Sequence, residues 1–127
     1  MTTPGGMAGR RLLLVDDDHI YRAALAGYLR HRGYAVTEAD DGQEAVRLVR
    51  WRGCEYFDVI VMDYSMPWLT GGEAANLIRA TCPDQRVLYM SGWDSFPGDL
   101  RVREAFLAKP AELEVIIDEI ERVAARP

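Results

Sequence analysis

Asp58-Val59-Ile60-Val61-Met62-Asp63-Tyr64-Ser65-Met66-Pro67 is the stretch whose reading decides the fold. Val59 to Met62 are apolar without alternation, the pattern of a strand buried on both faces of a parallel sheet. Pro67 ends regular pairing. Asp63 therefore stands at the carboxyl end of a buried strand, where open α/β sheets gather their ligands and chemistry. Taken alone, the stretch fits equally well an Asp63 that caps a turn. The other carboxylates of the chain decide between these readings.

Leu12-Leu13-Leu14-Val15 is a second buried-strand signal, followed at once by Asp16-Asp17-Asp18. Asp18 suits the N-cap of the next helix. Asp16 and Asp17 would lie beside Asp63 if the two strands are neighbours. A helix is predicted from Ile20 to Arg32, with Ile20, Ala24, Leu25, Tyr28 and Leu29 at helical spacing and Gly33 as its C-terminal cap. Tyr34 to Ala39 alternates more and reads as a strand nearer an edge. Asp41-Gly-Gln-Glu44 has the form of a capping box before a helix built on Ala45, Val46, Leu48 and Val49, which Gly53 closes. Thr70-Gly-Gly-Glu73 repeats that form before Ala74, Leu77 and Ile78, and Pro83 terminates this helix.

Val87 to Met90 is a fourth strand signal, ended by Ser91-Gly92. Between Trp93 and Glu104 the residues Pro97-Gly98-Asp99 allow at most a short helical piece over Asp99 to Arg103. Phe106-Leu107-Ala108 forms the last strand and leads to Lys109-Pro110. Leu113, Ile116, Ile117, Ile120 and Val123 build a closing helix. His19 and His31 lie on or beside the first helix without evident partners and read as surface residues.

Five alternations of strand and helix signals argue for a parallel sheet with helices on both faces and right-handed crossovers. Asp16, Asp17, Asp63, Ser91 and Lys109 each follow a predicted strand directly, so the fold would gather them at one edge. Three carboxylates in close array repel one another, and a hard cation such as Mg²⁺ lets them remain ionised together. A carboxylate can also attack phosphorus to give an aspartyl phosphate. Lys109 and the Ser91 hydroxyl would answer the phosphate oxygens, since phosphoryl transfer rests on positioning and charge neutralisation.

The 127 residues suit one domain able to bury a sizeable core. A net charge of -5, with no basic stripe, argues against direct nucleic-acid binding. No stretch approaches the length of a membrane helix or a signal-peptide core, which places the chain in the cytoplasm with a flexible extension over residues 1–9. Cys54 and Cys82 lack a Cys-x-x-Cys partner or paired histidines and read as ordinary thiols of a reducing compartment.

The ordered pieces Leu14-Val-Asp-Asp-Asp18, Asp41-Gly-Gln-Glu-Ala45, Met62-Asp-Tyr-Ser-Met-Pro67, Met90-Ser-Gly92 and Phe106-Leu-Ala-Lys-Pro110 resemble the receiver domain of two-component response regulators. The resemblance runs from about Arg11 to Ala125, within a receiver domain over residues 10–127. It implies a flavodoxin-like five-stranded parallel sheet of order 2-1-3-4-5, with the fourth helix short or irregular here. It implies that Asp63 accepts a phosphoryl group from a histidine kinase or phosphotransfer protein, and that Asp16, Asp17, Asp63 and the Ser65 backbone carbonyl bind Mg²⁺. Ser91 and Phe106 would be the switch pair, Lys109 the phosphate contact, and the output a downstream protein partner or effector domain.

Only 18 positions separate Ser91 from Lys109, short for this family, which puts the usual dimer in doubt. Trp93 and Phe96 either fold back over the core or form an exposed aromatic contact. Two other readings stand beside the switch. One is a degenerate receiver that binds partners without phosphorylation. The other is a Mg²⁺-dependent aspartate-nucleophile phosphohydrolase resembling haloacid dehalogenases, which usually carry a second acid where this chain has Ser65.

Overall fold

Short apolar runs separated by capped helices fold, in a computed structural model describing residues 9–127, into a five-stranded parallel sheet of order β2-β1-β3-β4-β5. The elements are β1 (Arg11–Val15), α1 (His19–His31), β2 (Ala35–Ala39), α2 (Gly42–Arg52), β3 (Val59–Asp63), α3 (Gly71–Thr81), β4 (Val87–Ser91), β5 (Glu104–Ala108) and α4 (Leu113–Ala124). Apart from Gly9, the extension expected over residues 1–9 lies outside the described residues. Among the described residues no helix is long and apolar enough to cross a membrane.

The apolar strands do not alternate because both faces of the sheet are covered. Leu13, Val15, Ile60, Met62, Val87 and Tyr89 pack with α2 and α3, whereas Leu12, Leu14, Val59, Val61, Leu88 and Met90 pack with α1 and α4. Each class of side chain is removed from water by a different helix pair. At roughly 1.5–3 kcal/mol per fully buried aliphatic chain, this double burial is the main force holding the layers together.

Capping sets where the helices begin. The Asp18 carboxylate accepts from Tyr21 N at 3.1 Å, and Thr70 and Glu73 form a complete capping box. The Asp41 box is displaced by one residue: Asp41 accepts from Glu44 N, but the Glu44 carboxylate accepts from Asp40 N. Gly33 closes α1 with φ 100°, a conformation that favours glycine.

Three expectations from the sequence are corrected. Ile20 is 80% exposed, Tyr28 is 61% exposed, and Ala24 is exposed as well; the buried stripe of α1 is Arg22, Leu25, Ala26 and Leu29. The stripe is rotated because the Arg22 guanidinium is satisfied internally, by the Asp16 carbonyl at 2.7 Å and Glu38 at 3.1 Å. Likewise, Leu77 of α3 is 43% exposed, while Ala75 takes its place inside. His19, on the surface, does have a partner, the Arg22 guanidinium at 3.2 Å.

Among the described residues no helix joins β4 to β5, not even over Asp99 to Arg103. Pro97 has no amide to donate and Gly98 disfavours a helix, so rings fill the space instead. Phe96 packs 4.9 Å from Tyr89, 5.4 Å from Tyr64 and 5.9 Å from Phe106, and Trp93 leans on Tyr64 at 5.4 Å. Phe96 thus folds back over the core, and Trp93 covers the edge of the cluster while remaining 47% exposed.

Beneath these rings Glu104 is buried. It accepts from Tyr89 Oη at 2.9 Å and from Arg101 N at 2.9 Å, and it pairs with Arg79 of α3. Burial foremost, together with the neighbouring Glu104 carboxylate, holds the Tyr89 hydroxyl above its ordinary pKa and keeps it a donor.

The two cysteines are joined, contrary to the expectation of free thiols. A Cys54–Cys82 disulfide links the turn after α2 to the C-cap of α3, with Cα atoms 5.2 Å apart. A sequence separation of 28 concealed this approach, which depends on α2 and α3 packing side by side.

Candidate functional site at the carboxyl edge of the sheet

Parallel pairing brings β1 and β3 into register, Val15 against Met62, so the residues that follow them converge at one edge. Asp16, Asp17 and Asp63 each present a carboxylate oxygen within 4.8 Å of the others. Asp16 and Asp63 are buried and Asp17 is exposed. This is the convergence that the strand ends implied.

Lys109 reaches the same point from the end of β5. Its Nζ lies 2.7 Å from Asp16 Oδ2 and 3.5 Å from Asp63 Oδ1. The Lys109 amide donates to the Ser91 carbonyl at 2.6 Å, which fixes the ends of β4 and β5 together. Ser91 is buried; its hydroxyl accepts from Trp93 N at 3.3 Å and lies 3.4 Å from the Ser65 hydroxyl. Phe106 stands opposite Tyr89 in β5, half-buried, with its ring against Phe96. All the predicted side chains therefore fall on one rim, with Phe106 one layer further from the acids.

The electrostatics follow from this crowding. Burial pushes the Asp63 carboxyl from 3.8 up to about 6; Lys109 opposes the rise, and Asp16 and Asp17 add to it. For Lys109, burial acts to lower the pKa, but the hydrogen bond it donates to Asp16 and the charges of Asp16 and Asp63 outweigh it and leave the ammonium more firmly protonated. Three carboxylates with oxygens within 4.8 Å of one another, open on the Asp17 side, fit a hard divalent cation with oxygen preference.

Several residues were not singled out from the sequence. The Tyr21 ring lies 4.6 Å beneath Lys109 Nζ, and burial above all raises the pKa of its hydroxyl. Arg22 holds the Asp16 carbonyl, while the Asp16 carboxylate accepts from Asp18 N at 2.9 Å. Gly71 lets α3 start against the end of β3: a Cβ there would fall 2.6 Å from the Asp63 carbonyl oxygen. Only the glycine pair in the second capping box hinted at this approach.

Comparison with known proteins agrees with the geometry. The profile of the response regulator receiver domain matches residues 12–121. The Cyclic di-GMP phosphodiesterase of Thermotoga maritima is 34% identical over 109 residues, 83% of this chain but 28% of that protein. Response regulator MprA of Mycobacterium leprae is 33% identical over 120 residues, 91% of this chain and 51% of that protein. The chain thus spans about half or less of these relatives.

Solved structures that resemble it include receiver-sized chains. Chemotaxis protein CheY4 of Vibrio cholerae has a TM-score of 0.78 at 28% identity, covering 91% of this chain and 99% of that one. The receiver domain of sensor histidine kinase PA1611 from Pseudomonas aeruginosa PAO1, with a magnesium ion coordinated in its active site cleft, also has a TM-score of 0.78 at 28% identity. It covers 92% of this chain and 98% of that one.

Proposed function

This chain belongs to the family of response regulator receiver domains, and on that premise we propose that Asp63 accepts a phosphoryl group from a histidine kinase or phosphotransfer protein. The observation that carries the reading is the meeting of Asp16, Asp17, Asp63 and Lys109 within hydrogen-bonding or metal-binding reach of one another. An Asp63 oxygen attacks phosphorus, the bond from phosphorus to the donor imidazole breaks, and an acyl phosphate forms. The ammonium of Lys109 exchanges part of its contact with Asp16 for a phosphate oxygen. The Ser91 hydroxyl, presently unoccupied as a donor to a charged group, donates to another. Tyr21 limits where that ammonium can swing by lying beneath it.

Asp16, Asp17, Asp63 and the Ser65 carbonyl would hold Mg²⁺, which when bound neutralises the carboxylates and polarises the phosphoryl oxygens. Movement of Ser91 toward the phosphate opens room beside Phe106, whose ring would shift inward by packing alone, having no hydroxyl to bond. The reshaped surface over β4 and β5 then controls a downstream protein partner or effector domain in the cytoplasm. No separate substrate is turned over, and water ends the signal by attacking the acyl phosphate.

A small acyl phosphate with Mg²⁺ tests the reading by intact mass. One phosphoryl group is expected on the native chain, lost with chelator and absent in Asp63→Asn. A phosphoryl adduct that persists in Asp63→Asn would overturn it.

A further inference from the structure

The Cys54–Cys82 bridge lies at the amino edge of the sheet, remote from the acidic cluster, and the proposed phosphotransfer makes no use of it. Its two sulfurs are unequal. Cys82 is 4% exposed at the C-cap of α3, whereas Cys54 is exposed on the turn after α2. Beside it runs an open cleft of about 940 Å³, lined among others by Arg52, Tyr56, Gln85 and Arg86. An attacking thiolate approaches along the line of the sulfur–sulfur bond; both cysteines border the cleft, and Cys54 is the one exposed to solvent.

The bridge encloses residues 55–81, which comprise β3, Asp63, the turn after it and all of α3. α3 is a stiff rod of about 16 Å, from its 11 residues at 1.5 Å each. At its far end Gly71 N donates to the Tyr64 carbonyl at 2.8 Å, one residue beyond Asp63, with no room for even a methyl group between helix and strand end. The bridge therefore anchors one end of the helix whose other end seats the acceptor. Disulfides in reducing compartments are mostly transient and redox-sensing.

We propose that the Cys54–Cys82 bridge is a thiol-reversible lock on the segment that carries Asp63, opened by a dithiol reductant attacking the exposed sulfur of Cys54. The reductant's thiolate bonds to Cys54 sulfur as the disulfide breaks, and Cys82 leaves as a thiolate and takes up a proton. The reductant's second thiol then displaces Cys54, so two electrons and two protons pass to the protein and the reductant ends as a disulfide. The Thr81 carbonyl, 3.4 Å from the Cys54 sulfur, stands ready to accept from the new thiol. The consequence for signalling rests on the phosphoacceptor reading; the chemistry of the bridge does not.

The test uses the full chain, oxidised or treated with dithiothreitol, beside a Cys54→Ser, Cys82→Ser double variant. Alkylation should add two adducts only after reduction. Amide exchange over Gly71 to Thr81 should quicken at least ~10-fold in the reduced and double-variant proteins, and phosphorylation by a small acyl phosphate should slow at least ~3-fold. Two alkylatable thiols in air-equilibrated protein, or equal exchange in both redox forms, would overturn the proposal. If neither form is phosphorylated, the reading of Asp63 fails, and exchange and alkylation still decide the lock.

Discussion

Lys109 sits closer to Asp16, at 2.7 Å, than to the proposed acceptor Asp63, at 3.5 Å. The ammonium is thus held mainly by a carboxylate proposed to bind metal, and a cation entering the cluster competes with it for Asp16. In Lys109→Gln, Mg²⁺ should bind at least as tightly as in the native chain, because that competitor is gone. Phosphorylation should still slow by about 10²-fold, the scale of losing one charge-stabilising group. Calorimetric Mg²⁺ titration beside a phosphorylation time course checks both halves.

Asp63 also sets a pH dependence in metal-free protein. Its folded pKa of about 6 lies above the ordinary 3.8, so the folded state binds a proton that the unfolded chain releases. Stability from this group is complete below the lower value and is lost as pH rises through about 6. In chelator, thermal unfolding should therefore show a decline across this window that Asp63→Asn abolishes, with the variant more stable at neutral pH by roughly 1–2 kcal/mol. A variant no more stable than the native chain would contradict the raised pKa that burial, with the Asp16 and Asp17 charges, gives Asp63.

Gly71→Ala separates helix propensity from fit. Alanine favours a helix by about 1 kcal/mol over glycine. Here its methyl would stand 2.6 Å from the Asp63 carbonyl oxygen and 2.9 Å from Tyr64 Cα, both backbone atoms. Net destabilisation of about 2 kcal/mol is expected in urea unfolding, in the range of overpacking, with slower phosphorylation if the displaced Asp63 is the proposed acceptor.

Glu104→Ala would leave Arg79 and Tyr89 without their shared acceptor in the interior. Removing one member of a buried pair costs about 3–5 kcal/mol. Phe96→Ala, which strips the lid from the same cluster but leaves no charge behind, should cost about 2 kcal/mol, less than a fully buried phenylalanine. Chemical unfolding of the two variants side by side checks the order.

Periodicity made the layers legible. Val59 to Met62 and Leu12 to Val15 are uniformly apolar because each strand faces two helix pairs, and strand ends then located Asp16, Asp17, Asp63, Ser91 and Lys109 on one rim. What escaped notice depends on distant partners. Arg22 occupies a core position only because Asp16 and Glu38 receive it, so apolar spacing placed Ile20 and Tyr28 wrongly inside. Glu104 looks like an ordinary surface acid until Arg79, 25 residues earlier, reaches it across the sheet. The cysteine spacing carried no pairing information, because helix packing alone brings the two together.

Of the three tryptophans, Trp51 is 72% and Trp68 is 90% exposed, while Trp93 rests on the Tyr64 ring that directly follows Asp63. That placement gives the molecule a built-in optical gauge. In a background with Trp51 and Trp68 replaced by phenylalanine, emission would come from a single indole whose neighbour is covalently joined to Asp63, and the arrival of a phosphoryl group could be followed in real time without any label.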